Sequence, residues 1–83
     1  MTHDLKISPE WFEAVCSGVK SFEVRKDDRP YKPNDVLILR EFDGVKYTGR
    51  VCKADVRFVL RGEYCRDGYC IMAIKIKEGD NNA

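Results

Sequence analysis

Lys20, Glu23 and Arg25 fall close together in the stretch SGVKSFEVRKDDRP, residues 17–30. An ammonium, a carboxylate and a guanidinium so near in sequence can do one of two things. They can form a recognition site. Lysine then donates to a phosphate or carbonyl, and arginine clamps a base edge, phosphate or carboxylate at two points. Glutamate accepts from an exocyclic amine and orients the arginine. Alternatively, they can be an ion cluster that holds a strand in place, worth less than about 1 kcal/mol per pair if solvent-exposed. The difference lies in whether the strand face carrying them meets solvent or a half-closed cleft, and that depends on the elements around it.

Upstream, SPEWFEAVCSG reads as a helix of about ten residues, near the usual mean length. Ser8 suits the N-cap, Pro9 the first helical position and Glu10 the positive end of the dipole. Trp11, Phe12, Val15 and Cys16 recur at helical spacing, which predicts that Trp11 and Phe12 pack in the core. Gly18 is a natural left-handed stop, so Lys20 lies in the connection to the next strand. In SFEVR, Phe22 and Val24 point one way and Ser21, Glu23 and Arg25 the other. The bases of Glu23 and Arg25 are then about 7 Å apart.

The remaining elements read as strands. DLKI, residues 4–7, is a short one. DDRPYKPND is a proline-punctuated loop, in which Asn34 can take the left-handed conformation. VLIL, residues 36–39, is apolar throughout and predicts a strand covered on both faces. Asp43-Gly44 marks a hairpin tip. From Tyr47 to Leu60, alternation places Cys52, Ala54, Val56, Phe58 and Leu60 on one buried face. Cys70, Met72, Ile74 and Ile76 do the same in a last strand. The expected fold is α+β: a small, mostly antiparallel β-barrel of about five strands, whose edges closure hides, with one N-terminal helix. It forms a single domain over residues 1–77, with 78–83 a flexible tail.

A chain of 83 residues buries a small core in one domain. Its 15 basic and 14 acidic residues give a net charge of +1, which argues against tight, sequence-blind binding to duplex phosphates. The cysteines, Cys16, Cys52, Cys65 and Cys70, form no C-x-x-C pair, and the one histidine, His3, falls at an N-terminus expected to fray. That spacing predicts no metal site, and no cofactor is expected. Cys16, Cys52 and Cys70 read as small buried hydrophobes, and no disulfide is expected, although Cys65 and Cys70 could face each other across a turn. No apolar run approaches the roughly 20 residues of a membrane span, and MTHDLKIS lacks a secretion signal, so the expected location is cytoplasmic.

Gly18-x-Lys20-x-x-Glu23-x-Arg25 resembles the G-x-K-x-x-E-x-R signature of the ASCH domain family of the PUA-like superfold. LKISPEWFEAV, the KDDR run, the strand entry Asn34–Leu39, YTGR at 47–50 and Gly68-Tyr69 resemble a compact bacterial and phage branch of it. That branch more often has Gly-Asp at the strand entry; Asn34 replaces the glycine and tolerates the same backbone. The resemblance implies a PUA-like barrel and RNA binding in a cleft between helix and barrel. Lys20, Glu23 and Arg25 would sit at the site, with Gly18 supplying the turn. Lys26 and Arg29 extend the expected site along its rim.

The leading expectation is a non-enzymatic RNA- or nucleotide-binding domain. Tyr31, Tyr47, Tyr64 and Tyr69 are candidate stacking rings or rim caps. An alternative comes from amidohydrolases of the same family that deacetylate acetylcytidine. They resemble this chain at Lys20 and Arg25 but carry threonine in place of Glu23, and their downstream glutamate has only Glu63 as a stand-in. In that reading Lys20 and Glu23 are catalytic. Against it, lysine attacks or takes a proton only as the neutral amine, and a neighbouring carboxylate favours the ammonium. A third reading is a protein-interaction module using a strand edge or the turn at residues 64–69.

Overall fold

Alternating hydrophobicity becomes a single curled sheet in the computed structural model, which describes residues 1–77. The tail expected at 78–83 lies outside the described residues. The elements run β1 (Thr2–Ile7), α1 (Pro9–Cys16), β2 (Phe22–Lys26), β3 (Val36–Phe42), β4 (Tyr47–Leu60) and β5 (Tyr69–Ile76). The five strands form one sheet in the order β1-β3-β4-β5-β2. β1 runs parallel to β3, with Leu5 beside Leu39, and the other neighbours are antiparallel. The architecture is therefore a mostly antiparallel, barrel-like α+β fold with one short helix.

Strand periodicity sends every second residue inward. Leu5 and Ile7, Leu37 and Leu39, Cys52, Ala54 and Val56, and Cys70, Met72 and Ile74 line the interior from four strands. Phe12 and Val15 enter it from α1 and Tyr31 from the loop before β3. β2 differs: its buried residue is Glu23, while Phe22 and Val24 on its other face are 45% and 50% exposed. Four strands thus supply the apolar lining, with His3 of β1 and Glu41 of β3 buried as well, and β2 turns a charged face inward.

α1 ends as its sequence directs. Gly18 takes φ +83°, and the amide of Lys20 returns to the carbonyl of Ala14 at 2.9 Å. The helix is shorter than expected, and Ser8 sits at the N-cap in extended backbone without a side-chain capping bond. Asn34 takes φ 78° at the entry to β3, as its type predicts. Asp43 closes the β3–β4 hairpin by accepting from the amides of Val45 and Lys46, each at 2.9 Å.

Other expectations are corrected. His3 does not fray: it is buried in β1, and its Nε2 donates to Asp35 Oδ2 at 2.8 Å. The Met1 ammonium donates to Asp35 Oδ1 at 2.9 Å, and Tyr31 packs edge-on against the His3 ring. Trp11 is half-exposed, because it lies at the border of the helix stripe while Phe12 and Val15 occupy its middle. Cys16, at the other border, is half-buried. VLIL buries Leu37 and Leu39 completely but leaves Val36 and Ile38 half-covered, since no second layer lies outside the sheet there. In β4, Val56 pairs with Ile74 and Phe58 with Ala73, so Arg57 is an extra residue in a bulge. The bulge reverses the faces beyond it. Phe58, expected inside, is 59% exposed, and Val59 packs on the core.

Candidate functional site

Two elements bring the predicted charges together. The helix stop places Lys20, and β2 alternation turns Glu23 and Arg25 to the inner face. Glu23 is 3% exposed and stands between two cations. Lys20 Nζ donates to Oε1 at 3.0 Å and Arg25 Nε to Oε2 at 2.8 Å. Both carboxylate oxygens are therefore engaged, which is what a buried carboxylate requires. The arginine's remaining reach is used too: Nη2 donates to the carbonyl of Lys6 on β1 at 2.8 Å. β1 and β2 are the two edges of the sheet, so this hydrogen bond spans the seam of the barrel.

A cleft lies on each side of that seam. The first, about 500 Å³, is lined by Lys6 and Ile7 of β1, Ser8 before α1, Trp11 of α1, and Lys20 through Arg25 apart from Ser21. Lys20 Nζ sits 5.3 Å from the Trp11 ring centre and 4.9 Å from that of Phe22, within cation–π range of both. Its charged groups are Lys6, Lys20 and Arg25 against Glu23, a net positive wall beside two aromatic rings. The second cleft, about 420 Å³, shares Lys6 and Arg25 and adds Asp4, Lys26, Asp28, Arg29, Tyr31 and Tyr47. Asp4 is held there by Arg40 Nε, 2.8 Å away.

The predicted residues thus divide. Lys20, Glu23 and Arg25 form one hydrogen-bonded triad in the first cleft. Lys26 and Arg29, both exposed, reach only the second, joined to the triad through Arg25. Gly18 shapes the turn but borders a separate hollow with Cys16 and Ile74. Glu63 is exposed on the β4–β5 loop, beside Asp27 and Arg61 and away from the triad. Among the tyrosines, Tyr31 is a core residue and Tyr47 lines the second cleft. Tyr64 is exposed, and Tyr69 carries Arg66 over its ring.

Trp11, Phe22 and Lys6 are cleft residues that sequence reasoning did not assign to the site. For Trp11 the signal was present: position 11 lies about 70° from the middle of the helical stripe. The role of Lys6 runs through its carbonyl, which no sequence pattern announces. Two further buried carboxylates were also missed. Burial pushes the Asp35 carboxyl up, but hydrogen bonds from His3, the N-terminus and the Lys32 amide outweigh this and hold it at about 2. Glu41 accepts from Thr48 Oγ1 at 2.7 Å and faces Arg50 Nη1 at 3.7 Å, where β3 and β4 shift register. Among the described residues no group of three or more His, Cys, Asp or Glu is placed to hold a metal ion, and no helix is long and apolar enough to cross a membrane. All four cysteines are free thiols.

Comparison with known proteins adds a family. The family described as "Domain of unknown function (DUF3850)" matches residues 2–74. An uncharacterized 12.9 kDa protein in the GpA 3′ region of Escherichia phage P2 is 39% identical over 54 residues. The match covers 65% of this chain and 50% of the phage protein, so it spans about half the length of that relative.

Proposed function

The chain belongs to the DUF3850 family, and we propose that it is an RNA- or nucleotide-binding domain of ASCH type on a PUA-like barrel, acting in the cytoplasm. One observation carries this reading: Lys20 lies between the rings of Trp11 and Phe22, above the buried Glu23–Arg25 pair, in an open cleft. A base needs a ring surface to stack on and donors and acceptors at its edge, and this cleft has both. The free thiols suit a reducing compartment. Binding is favoured over amide hydrolysis because Glu23 has neither oxygen free to act as a base and Lys20 is committed to it as the ammonium.

Trp11 is the chain's one tryptophan, so its fluorescence reports on the cleft directly. The test is a titration with nucleosides including acetylcytidine, nucleoside monophosphates and short single-stranded RNAs, at low and high salt, with mass spectrometry for product. Saturable quenching that weakens about 10- to 100-fold in Lys20→Ala, the cost of one charged hydrogen bond, is expected. A shallow salt dependence marks a base in the cleft and a steep one phosphate-led binding. Turnover of acetylcytidine that vanishes in Lys20→Ala would make the domain a hydrolase instead. No response to any of these ligands, or binding indifferent to both Lys20→Ala and Arg25→Ala, would remove the cleft assignment.

A further inference from the structure

The outer face of the sheet is not uniform. Over β1, β3 and the adjoining part of β4 it carries charged residues such as Asp4, Arg40 and Asp55, with Asp4 paired to Arg40 and Asp55 to Lys77. Over β2, β5 and the end of β4 it is apolar. Strand register sets Phe22 beside Ala73 and Ala73 beside Phe58, then Val24 beside Ile71 and Ile71 beside Leu60. Paired positions share a face, so these six side chains form two adjacent rows across three strands. Phe22, Val24 and Phe58 are 45%, 50% and 59% exposed, Ala73 is exposed, and Ile71 and Leu60 are half-buried. The patch exists because of the Arg57 bulge: without the extra residue, Phe58 would point into the core and the outer row would lose its second ring.

Cations frame these rows. Lys75 lies on the same face one step beyond Ala73, Lys26 one step beyond Val24, and Arg57 next to Phe58 in the bulge. All three are exposed, and none has an ion pair among the described residues. The acid bordering the patch, Asp55 opposite Lys75, is taken by Lys77. A contiguous apolar patch with a charged rim marks a contact surface. We infer that this face docks an acidic, apolar polypeptide segment.

The shape and charge of the face favour that occupant over others. A second copy would bring like charges together across a two-fold axis, and six side chains fall short of the roughly 20–30 residues a side of a stable subunit interface. A nucleic acid needs ring surfaces and polar edges, and the Val24–Ile71–Leu60 row offers neither. A peptide with acidic residues flanking leucine or phenylalanine satisfies both the rows and the rim. The patch meets the cleft at Phe22 and Val24, which border both, while Phe58, Leu60, Ile71 and Ala73 lie outside the cleft.

The experiment is an NMR titration with a short labelled peptide alternating Glu with Leu and Phe, set beside its Lys-for-Glu counterpart, oligouridine and phosphatidylserine vesicles. The expected result is shift changes centred on Phe22, Val24, Phe58, Leu60, Ile71 and Ala73, with the acidic peptide at least about tenfold tighter than the basic one. Phe58→Ser with Ile71→Ser, neither of which lines the cleft, should lose that binding and leave Trp11 quenching by nucleotides intact. Should that variant fail to fold, Arg57→Glu with Lys75→Glu alters only exposed side chains and should invert the preference between the two peptides. The inference is overturned by equal binding of both peptides, by shifts elsewhere or none, or by stronger shifts at these residues with oligouridine or vesicles. A concentration-dependent dimer that the serine variant abolishes would overturn it as well.

Discussion

Arg25 Nη2 on β2 donates to the carbonyl oxygen of Lys6 on β1 at 2.8 Å, joining the two edge strands of the sheet. The same guanidinium holds Glu23 through Nε. One side chain thus closes the seam and completes the ion triad, and it borders both clefts. A planar fork can face two acceptors at once, whereas an ammonium on a flexible stem is a point charge.

Arg25→Lys should therefore fail to replace arginine. We expect it to keep a bond to Glu23 and lose the seam, destabilising by about 1 kcal/mol, with Arg25→Ala costing about 1–3 kcal/mol. Glu23→Ala should cost about 2–4 kcal/mol, because it leaves two cations facing each other in a largely buried site. Urea unfolding of the three variants checks this. The Glu23–Arg25 double-mutant cycle should show coupling of about 1 kcal/mol or more, and additive effects would mean the pair is not structural.

Stability should fall in acid through Asp35. Its carboxyl titrates at about 2 in the fold, below the ordinary carboxylate value near 3.9. A depressed folded value gives stability that is present above about pH 4 and lost as pH falls through about 2, on the order of 2 kcal/mol for this group. Asp35→Asn should have a flatter profile over that window, measured by denaturant unfolding at stepped pH. An unchanged slope would show that other carboxylates dominate acid unfolding.

Thiol reactivity should divide the cysteines. Burial, with Cys16 alongside, pushes the Cys52 thiol up to about 12, so it stays protonated at pH 8. Burial raises Cys70 as well. We expect Cys16 and Cys65, both half-buried, to react with an aromatic disulfide reagent in the native protein, and Cys52 and Cys70 only on unfolding. Mass mapping of the labelled peptides is the measurement. Fast native labelling of Cys52 would mean that the core opens readily.

Glu41 should matter to the fold more than its charged neighbours suggest. It is buried with Thr48 at 2.7 Å, while Arg50 is shared with the exposed Glu13. Glu41→Ala should cost about 2–3 kcal/mol and Glu13→Ala below about 1 kcal/mol, since an exposed pair is screened and a buried bond is not. Thermal melts of the two variants would show equal losses if Glu41 were solvated.

Most elements were legible in the sequence because local rules dictate them. Strand alternation marked Cys52, Ala54 and Val56 and then Cys70, Met72 and Ile74 as inward, and they are. Left-handed backbone at Gly18 and Asn34 followed from residue type. The cluster Lys20, Glu23 and Arg25 was visible as a candidate site from spacing alone. Where local rules failed, one inserted residue or one border position was responsible. Arg57 reversed the face of Phe58, and Trp11 stood at the edge of a stripe whose middle belongs to Phe12 and Val15. His3 looked like a loose terminus because its partner, Asp35, lies far along the chain.

By itself the sequence determined which residues could act together on one strand, because a two-residue period is built into extended backbone. It left open whether the face carrying Glu23 and Arg25 meets water or the barrel. Tertiary structure decided that. With the other four strands supplying the apolar core, β2 closes the sheet with its charged face inward and its valine and phenylalanine outward. That orientation is stable because Lys20 and Arg25 satisfy the buried Glu23 carboxylate and the Lys6 carbonyl accepts from Arg25 across a seam that only folding creates.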